Sequence, residues 1–199
     1  RGMVSTTQPL AAEAGLDMLK RRGNAIDAAI ATADCLTVVE PNSNSIGGDT
    51  FALVWTQGKL HGLNASGPSP GSISLDQVRA AGHEKMPTYG LLPVTVPGTP
   101  ASWAALSERF GRLPLSEVLA PAIRYAEEGF PVSPTISSYW KLGYHNIKAL
   151  DDEVLYSSWM EVFAPGGRTP RSGELWRSPG HAQTLRSIAE TNAESFYRG

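Results

Sequence analysis

The stretch NAIDAAIATADCLTVVEPNSNSIGGDTFALVW, Asn24 to Trp55, carries two structural signals in succession. Asn24 stands where a side-chain oxygen caps a helix, and Asp27, three residues on, completes a capping box. Ala28 to Ala33 is small and apolar on nearly every side, which marks a helix that is buried and closely packed rather than laid on a surface. Further on, Phe51 to Thr56 is apolar in both alternating sets: Phe51, Leu53 and Trp55 in one, Ala52 and Val54 in the other. A strand of that kind is expected to be covered on both faces. A buried helix leading into it predicts a layered α/β (α+β) architecture.

Between helix and strand, Gly47-Gly48 either turns the chain, since glycine accepts backbone angles closed to other residues, or lets the backbone approach a substrate. A phosphate cradle is not supported. IGGD lacks the GxxxxGK[ST] spacing, and no GxGxxG joins a strand to a helix here.

Upstream, Gly2 to Thr6 reads as a short strand. Gln8-Pro9 opens a helix whose Leu10, Ala11, Ala14 and Met18 share one face and whose Glu13, Asp17, Lys20 and Arg21 lie opposite, with Gly23 as its stop. Downstream, Lys59 to Asn64 pairs with the first strand through a two-residue turn at Gln57-Gly58. The loop Ser66-Gly67-Pro68-Ser69-Pro70-Gly71 cannot continue the sheet. Helices are predicted from Ser74 to Ala81, over Ala101 to Phe110, from Pro114 to about Glu128, over Thr135 to Leu150 and over Gly180 to Thr191, with Arg168 to Pro179 rich in turn formers.

The 199 residues are 41% hydrophobic and 18% charged, and 17 basic side chains against 19 acidic ones leave a formal charge of -2. That balance supplies no basic face for nucleic acid or an anionic membrane. The longest apolar window, Ala28 to Val39, is interrupted by Thr32, Asp34 and Thr37 and is too short to span a bilayer. Cys35 sits among apolar neighbours as a buried, inert thiol. Arg1-Gly2-Met3-Val4 shows no charged leader with an apolar core, which favours the cytoplasm, or the periplasm or exterior where a leader has been removed.

The usual chemical motifs are missing. His61, His83, His145 and His181 are scattered without HExxH, so no metal site is expected, and no GxSxG elbow supports a serine triad. Asp27 and Asp34 share a helix face two turns apart, roughly 10 Å along the axis. That is wide for an acid–base pair, and Asp27 already has a capping role.

Read in order, GMVSTTQPLAAEAGLDMLKRRGNAIDAAIATADCLTVVEPNSNSIGGDTFALVW resembles the amino-terminal signature of the gamma-glutamyltransferase (gamma-glutamyltranspeptidase) family. VPGTPASWAAL, GRLPLSEVLAPAIRYAEEGFPVS and AESFYRG resemble later landmarks of that family in the same order, so the resemblance covers essentially the whole chain. It implies a four-layer αββα N-terminal-nucleophile hydrolase, made as one precursor that cuts itself into a large and a small subunit. The new amino-terminal threonine of the small subunit attacks an amide carbonyl, with its own α-amine as base. Residues 1-199 then read as a single incomplete domain, the N-terminal portion of the large subunit, with no catalytic residue in the chain and no cofactor. The implied partners are a small-molecule amide substrate and the small catalytic subunit, in a heterodimer or a dimer of heterodimers. A homologue that binds without catalysing is the alternative.

One departure bears on substrate. Glutamyl-transferring members carry an arginine a few residues before a proline, in the loop after the hairpin, to clamp the substrate's α-carboxylate. Aligned on Pro70 that place falls on Ser66, and aligned on Pro68 it falls on Asn64, so neither gives an arginine. Asn64 and Ser66 are therefore the candidate substrate-binding residues, as neutral hydrogen-bond donors for a small non-glutamyl amide such as oxamate. Equally, they form an Asx- or Ser-turn at the strand end. Arg79 is a candidate to replace the missing charge.

Overall fold

Pro9 begins the first helix because its ring fixes φ and its missing N–H falls where no intrahelical partner exists. The computed structural model describes residues 2–150 and 153–199; Arg1, at the opening read for a leader, lies outside them. In chain order the elements are α1 Pro9–Lys20, α2 Ala25–Val39, β1 Thr50–Thr56, β2 Lys59–Ala65, α3 Leu75–Ala80, α4 Thr99–Phe110, α5 Leu115–Val118, α6 Ala120–Glu128, β3 Phe130–Pro131, α7 Pro134–Lys148, α8 Glu153–Phe163, β4 Leu175–Trp176, α9 Pro179–Thr191 and α10 Glu194–Arg198. They form two units, one taking in residues up to Ile46 with Trp103–Gly199, the other Gly47–Ser102.

In the first unit α2 is the central helix. Of its side chains only Ala25 and Ala29 are exposed, so the all-round apolar reading holds. Its capping box forms as expected: Asn24 Oδ1 accepts the Ile26 N–H at 2.8 Å, and Asp27 Oδ2 accepts the Asn24 N–H at 2.7 Å. Helix α1 crosses closely at Gly15, where a Cβ would press on the Thr32 hydroxyl and on the Ala28 carbonyl oxygen 2.9 Å away. Leu119, between α5 and α6, and helices α6 and α9 with Ala122, Ala126, Leu185 and Ile188 complete the core. The aromatics Phe130, Trp140, Phe163 and Trp176 extend this core, mostly edge to face with Trp140 and Trp176 centroids 4.9 Å apart, while Phe163 stacks on Trp176. Trp140 Nε1 donates to the Phe163 carbonyl at 2.9 Å, so its one polar atom is satisfied.

The second unit holds the antiparallel β1–β2 hairpin, paired from Thr50↔Ala65 to Thr56↔Lys59. Gln57 and Gly58 both have positive φ, 50° and 74°, as a two-residue turn of matching twist requires. Directly opposite residues share a face. Phe51, Leu53 and Trp55 therefore lie with Leu60, Gly62 and Asn64.

Several expectations are corrected. Gly2 to Thr6 is not a strand, because among the described residues no strand lies beside it to take its backbone groups. Helix α1 ends through Arg22, at φ 68°, rather than through Gly23; Gly23 is needed for space, since a Cβ there would crowd Leu113 and the Met18 carbonyl. The helix predicted from Pro114 to Glu128 is two, α5 and α6, because Pro121 in the first turn of α6 lacks the N–H that would bond back across the break. Helices α8 and α10 and the β3–β4 pair were not anticipated. Covering of β1 on both faces is not found among the described residues: Val54 is buried, whereas Phe51, Leu53 and Trp55 are 67%, 77% and 71% exposed.

Candidate functional site

The loop after the hairpin is held by backbone contact. Gly67 adopts φ 70°, and a Cβ on it would collide with the Val96 carbonyl oxygen; a Cβ on Gly98 would collide with the Ala65 carbonyl oxygen. Both collisions are with main chain, which cannot swing aside as a side chain can. The Val96 N–H donates to the Pro68 carbonyl at 2.9 Å, and the Thr95 hydroxyl donates to the Ser66 carbonyl at 3.4 Å. Two glycines thus let residues 65–68 and 95–98 lie main chain against main chain.

Gly48 belongs to the same cluster. Its carbonyl accepts the N–H groups of Gly98 at 3.1 Å and Thr99 at 3.2 Å, and Thr50 Oγ1 donates to Thr99 Oγ1 at 3.2 Å. The chain turns at Ile46-Gly47 and bends at Gly48, yet neither glycine has positive φ. The turning role holds, but without the left-handed backbone that glycine was expected to supply. Nothing in the side chains of Val96–Thr99 marks that segment as the partner, because the contacts are made by main chain except at Thr99.

Asn64 is exposed at the end of β2, opposite Phe51, and its Oδ1 accepts the Ser66 N–H at 3.0 Å. That is the Asx turn anticipated as one of the two readings. It leaves Asn64 Nδ2 and the Ser66 hydroxyl without a partner among the described residues, both able to donate. Arg79, in the last turn of α3, is exposed, and its side chain makes no hydrogen bond or ion pair among the described residues.

In the first unit, Asp27 and Asp34 behave differently although both are fully buried. Asp27 accepts backbone N–H groups from Asn24, Arg112 and Leu113. Neither Asp34 carboxylate oxygen has a partner among the described residues, and burial pushes its carboxyl well above the usual carboxylate range. The two do not act as a pair. Burial, reinforced by the neighbouring Asp34, likewise pushes the Cys35 thiol up, as befits an inert thiol. Burial lowers His181 to about 4, so its ring is neutral near pH 7. Among the described residues no group of three His, Cys, Asp or Glu side chains is placed to hold a metal ion. No helix there is long and apolar enough to cross a membrane.

The gamma-glutamyltranspeptidase family model matches residues 11–199. The glutathione hydrolase-like YwrD proenzyme of Bacillus subtilis is 36% identical over 99% of this chain and 37% of its own length. The oxamate amidohydrolase proenzyme of Klebsiella pneumoniae is 33% identical over 100% of this chain and 37% of its own. Among solved structures, a cephalosporin acylase from Bacillus halodurans superposes with a TM-score of 0.95 at 60% identity, over 100% of this chain and 39% of that one. The chain therefore spans little more than a third of the length of these relatives. Its helix-rich α/β fold is part of the four-layer αββα sandwich that the resemblance implied. With the match running almost from end to end, the chain belongs to the gamma-glutamyltranspeptidase family.

Proposed function

We propose that residues 1–199 are the N-terminal portion of the large subunit, one incomplete domain, of a self-cleaving amide hydrolase or acyltransferase. Its nucleophile is a threonine outside this chain, at the amino terminus of a small subunit cut from the same precursor. The reaction forms an acyl-enzyme on that threonine and passes the acyl group to water or an amine. These residues contribute one wall of the substrate pocket and no catalytic group, and the small subunit is the heterodimer partner.

The uncovered face of the hairpin supports the incomplete-domain reading. Phe51, Leu53, Trp55 and Leu60 form a contiguous exposed apolar face, of the sort that marks a surface another element covers. Burying side chains of this size contributes about 1.5–3 kcal/mol each, enough to hold a further layer of the sandwich. Asn64 lies on that face, which puts its free amide group beside whatever covers it.

The substrate reading rests on one observation. The loop Asn64–Pro70 is fixed by main-chain packing, and its two candidate positions carry an amide and a hydroxyl in place of a guanidinium. Losing two charge-assisted hydrogen bonds of about 1.5–3 kcal/mol each corresponds to about 10²- to 10⁴-fold in affinity for a γ-glutamyl donor. Asn64 Nδ2 and Ser66 Oγ instead donate to the acyl part of a compact, uncharged or singly charged amide. The names of the oxamate and cephalosporin relatives fit a family able to accept non-glutamyl acyl groups.

The experiment is a comparison of kcat/KM for γ-glutamyl-p-nitroanilide, oxamate and glutaryl amides in the full-length enzyme. Preference for a non-glutamyl amide, reduced by Ser66→Ala, supports the reading. Efficient turnover of the γ-glutamyl compound with micromolar KM contradicts it.

A further inference from the structure

We propose that a cavity of about 570 Å³ at the amino-terminal end of α9 is a binding site for a small monocarboxylate with a short apolar tail. The cavity lies wholly within the first unit, walled by the end of α2, the turn that follows it, the end of α8 and the start of α9.

Its anion-binding end is built largely from donors without a partner among the described residues. Pro179 has no N–H, and the N–H groups of Gly180 and His181 have no partner among the described residues; Ala182 is the first to bond back, to the Ser178 carbonyl at 3.0 Å. Ser178 stands at the cap position, yet its hydroxyl makes no capping bond. The residue is only 8% exposed, lines the cavity and has no side-chain partner among the described residues. The hydroxyl is thus available to a ligand in the cavity, and two main-chain donors at a helix N-terminus add the positive end of its dipole. Arg177 adds charge: its Nε donates to the Glu128 carbonyl at 2.7 Å, and its two terminal amino groups have no partner among the described residues.

The other walls set the class of anion. Glu161 lines the same cavity and has no partner among the described residues, so its charge opposes that of Arg177 and disfavours a dianion. The Thr37 hydroxyl donates to the Asp34 carbonyl at 2.7 Å and therefore accepts from His181 Nε2, 3.3 Å away, while burial keeps that imidazole neutral near pH 7. Ile46, Val162 and Phe163 supply the apolar surface for a short hydrocarbon tail. The proposal does not depend on the acyl-transfer reading.

The test is calorimetric titration of the full-length protein carrying this chain with 3-methylbutanoate, and separately with inorganic phosphate. Saturable one-site binding of the carboxylate is expected, weakened about 10-fold or more in Ser178→Ala and in Arg177→Gln. Because the Ser178 hydroxyl makes no structural bond, Ser178→Ala should melt at the temperature of the unsubstituted protein; a lowered melting temperature would instead assign the hydroxyl to the fold and overturn the proposal. Glu161→Gln should admit phosphate, which the unsubstituted protein rejects. No saturation by about 20 mM carboxylate, unchanged binding in Ser178→Ala, or phosphate bound as tightly as the carboxylate would each overturn it.

Discussion

The carboxylate of Asp27 accepts the backbone N–H of Arg112, at 3.0 Å to Oδ1 and 3.2 Å to Oδ2, although the two residues are 85 positions apart. Asn24 makes the reciprocal contact, its Nδ2 donating to the Phe110 carbonyl at 2.6 Å. The start of α2 is thereby fastened to the end of α4 through the same two side chains that cap α2. Asp27→Ala should leave the N–H groups of Asn24, Arg112 and Leu113 without their acceptor and destabilise the first unit by about 3–5 kcal/mol. Denaturant unfolding of the purified protein measures this; a loss under about 1 kcal/mol, the size of a simple cap, would show that the long-range bonds contribute nothing.

Asp34 gives a prediction with a definite sign. Its carboxyl is raised by burial, so the folded state holds a proton that the unfolded chain releases once pH exceeds about 3.8. Stability from this group is present below that pH and declines as pH rises toward the buried group's own ionisation. Asp34→Asn removes the titration but keeps the shape. The variant's advantage in melting temperature over the unsubstituted protein should therefore widen from pH 4 upward. A constant difference across that range would contradict the assignment.

His181 contributes in the opposite direction. Its ring is lowered by burial from 6.5 to about 4, so the unfolded chain binds the proton first as pH falls. Stability from His181 is complete above pH 6.5 and lost progressively as pH falls toward 4, up to about 3 kcal/mol. His181→Gln should flatten the melting profile in that window. An unchanged slope would mean that another group carries it.

How far the sequence reached depends on the range of the interaction concerned. The α2 capping box, the all-round burial of α2 and the Gln57-Gly58 turn are local, set by side chains within a few residues, and each was legible. The break at Pro121 was also local and could have been read, because a proline inside a helical pattern is its own warning. The β3–β4 pair was not legible, since Phe130-Pro131 is too short to show alternation and its partner Leu175-Trp176 lies more than 40 positions on. Nor was the tie of Gly48 to Gly98 and Thr99, which is made by main-chain atoms that every residue shares. At the candidate site Asn64 and Ser66 were found by a missing arginine. Gly67 and Gly98, which hold their loop, were found only by the space a Cβ would need.

That space yields a further prediction. Gly98→Ala puts a methyl group into the Ala65 carbonyl, so residues 65–68 must move off 95–98. A displacement of about 1 Å in a substrate-positioning loop costs on the order of 100-fold in rate. Steady-state kinetics of the full-length variant should show kcat/KM reduced by that order, whereas Gly71→Ala, where a Cβ meets nothing within 4 Å, should behave like the unsubstituted enzyme. Equal activity in both variants would remove the loop from the substrate pocket.

The central claim is that these helices and this hairpin serve a hydroxyl delivered by a second subunit cut from the same precursor. Intact-mass spectrometry of the freshly expressed full-length protein tests it most directly. The account predicts two fragments whose masses sum to that of the precursor plus one water, the smaller beginning with threonine, and no cleavage when that threonine is replaced by alanine. A single uncut chain, or a cut that persists in the alanine variant, would contradict it.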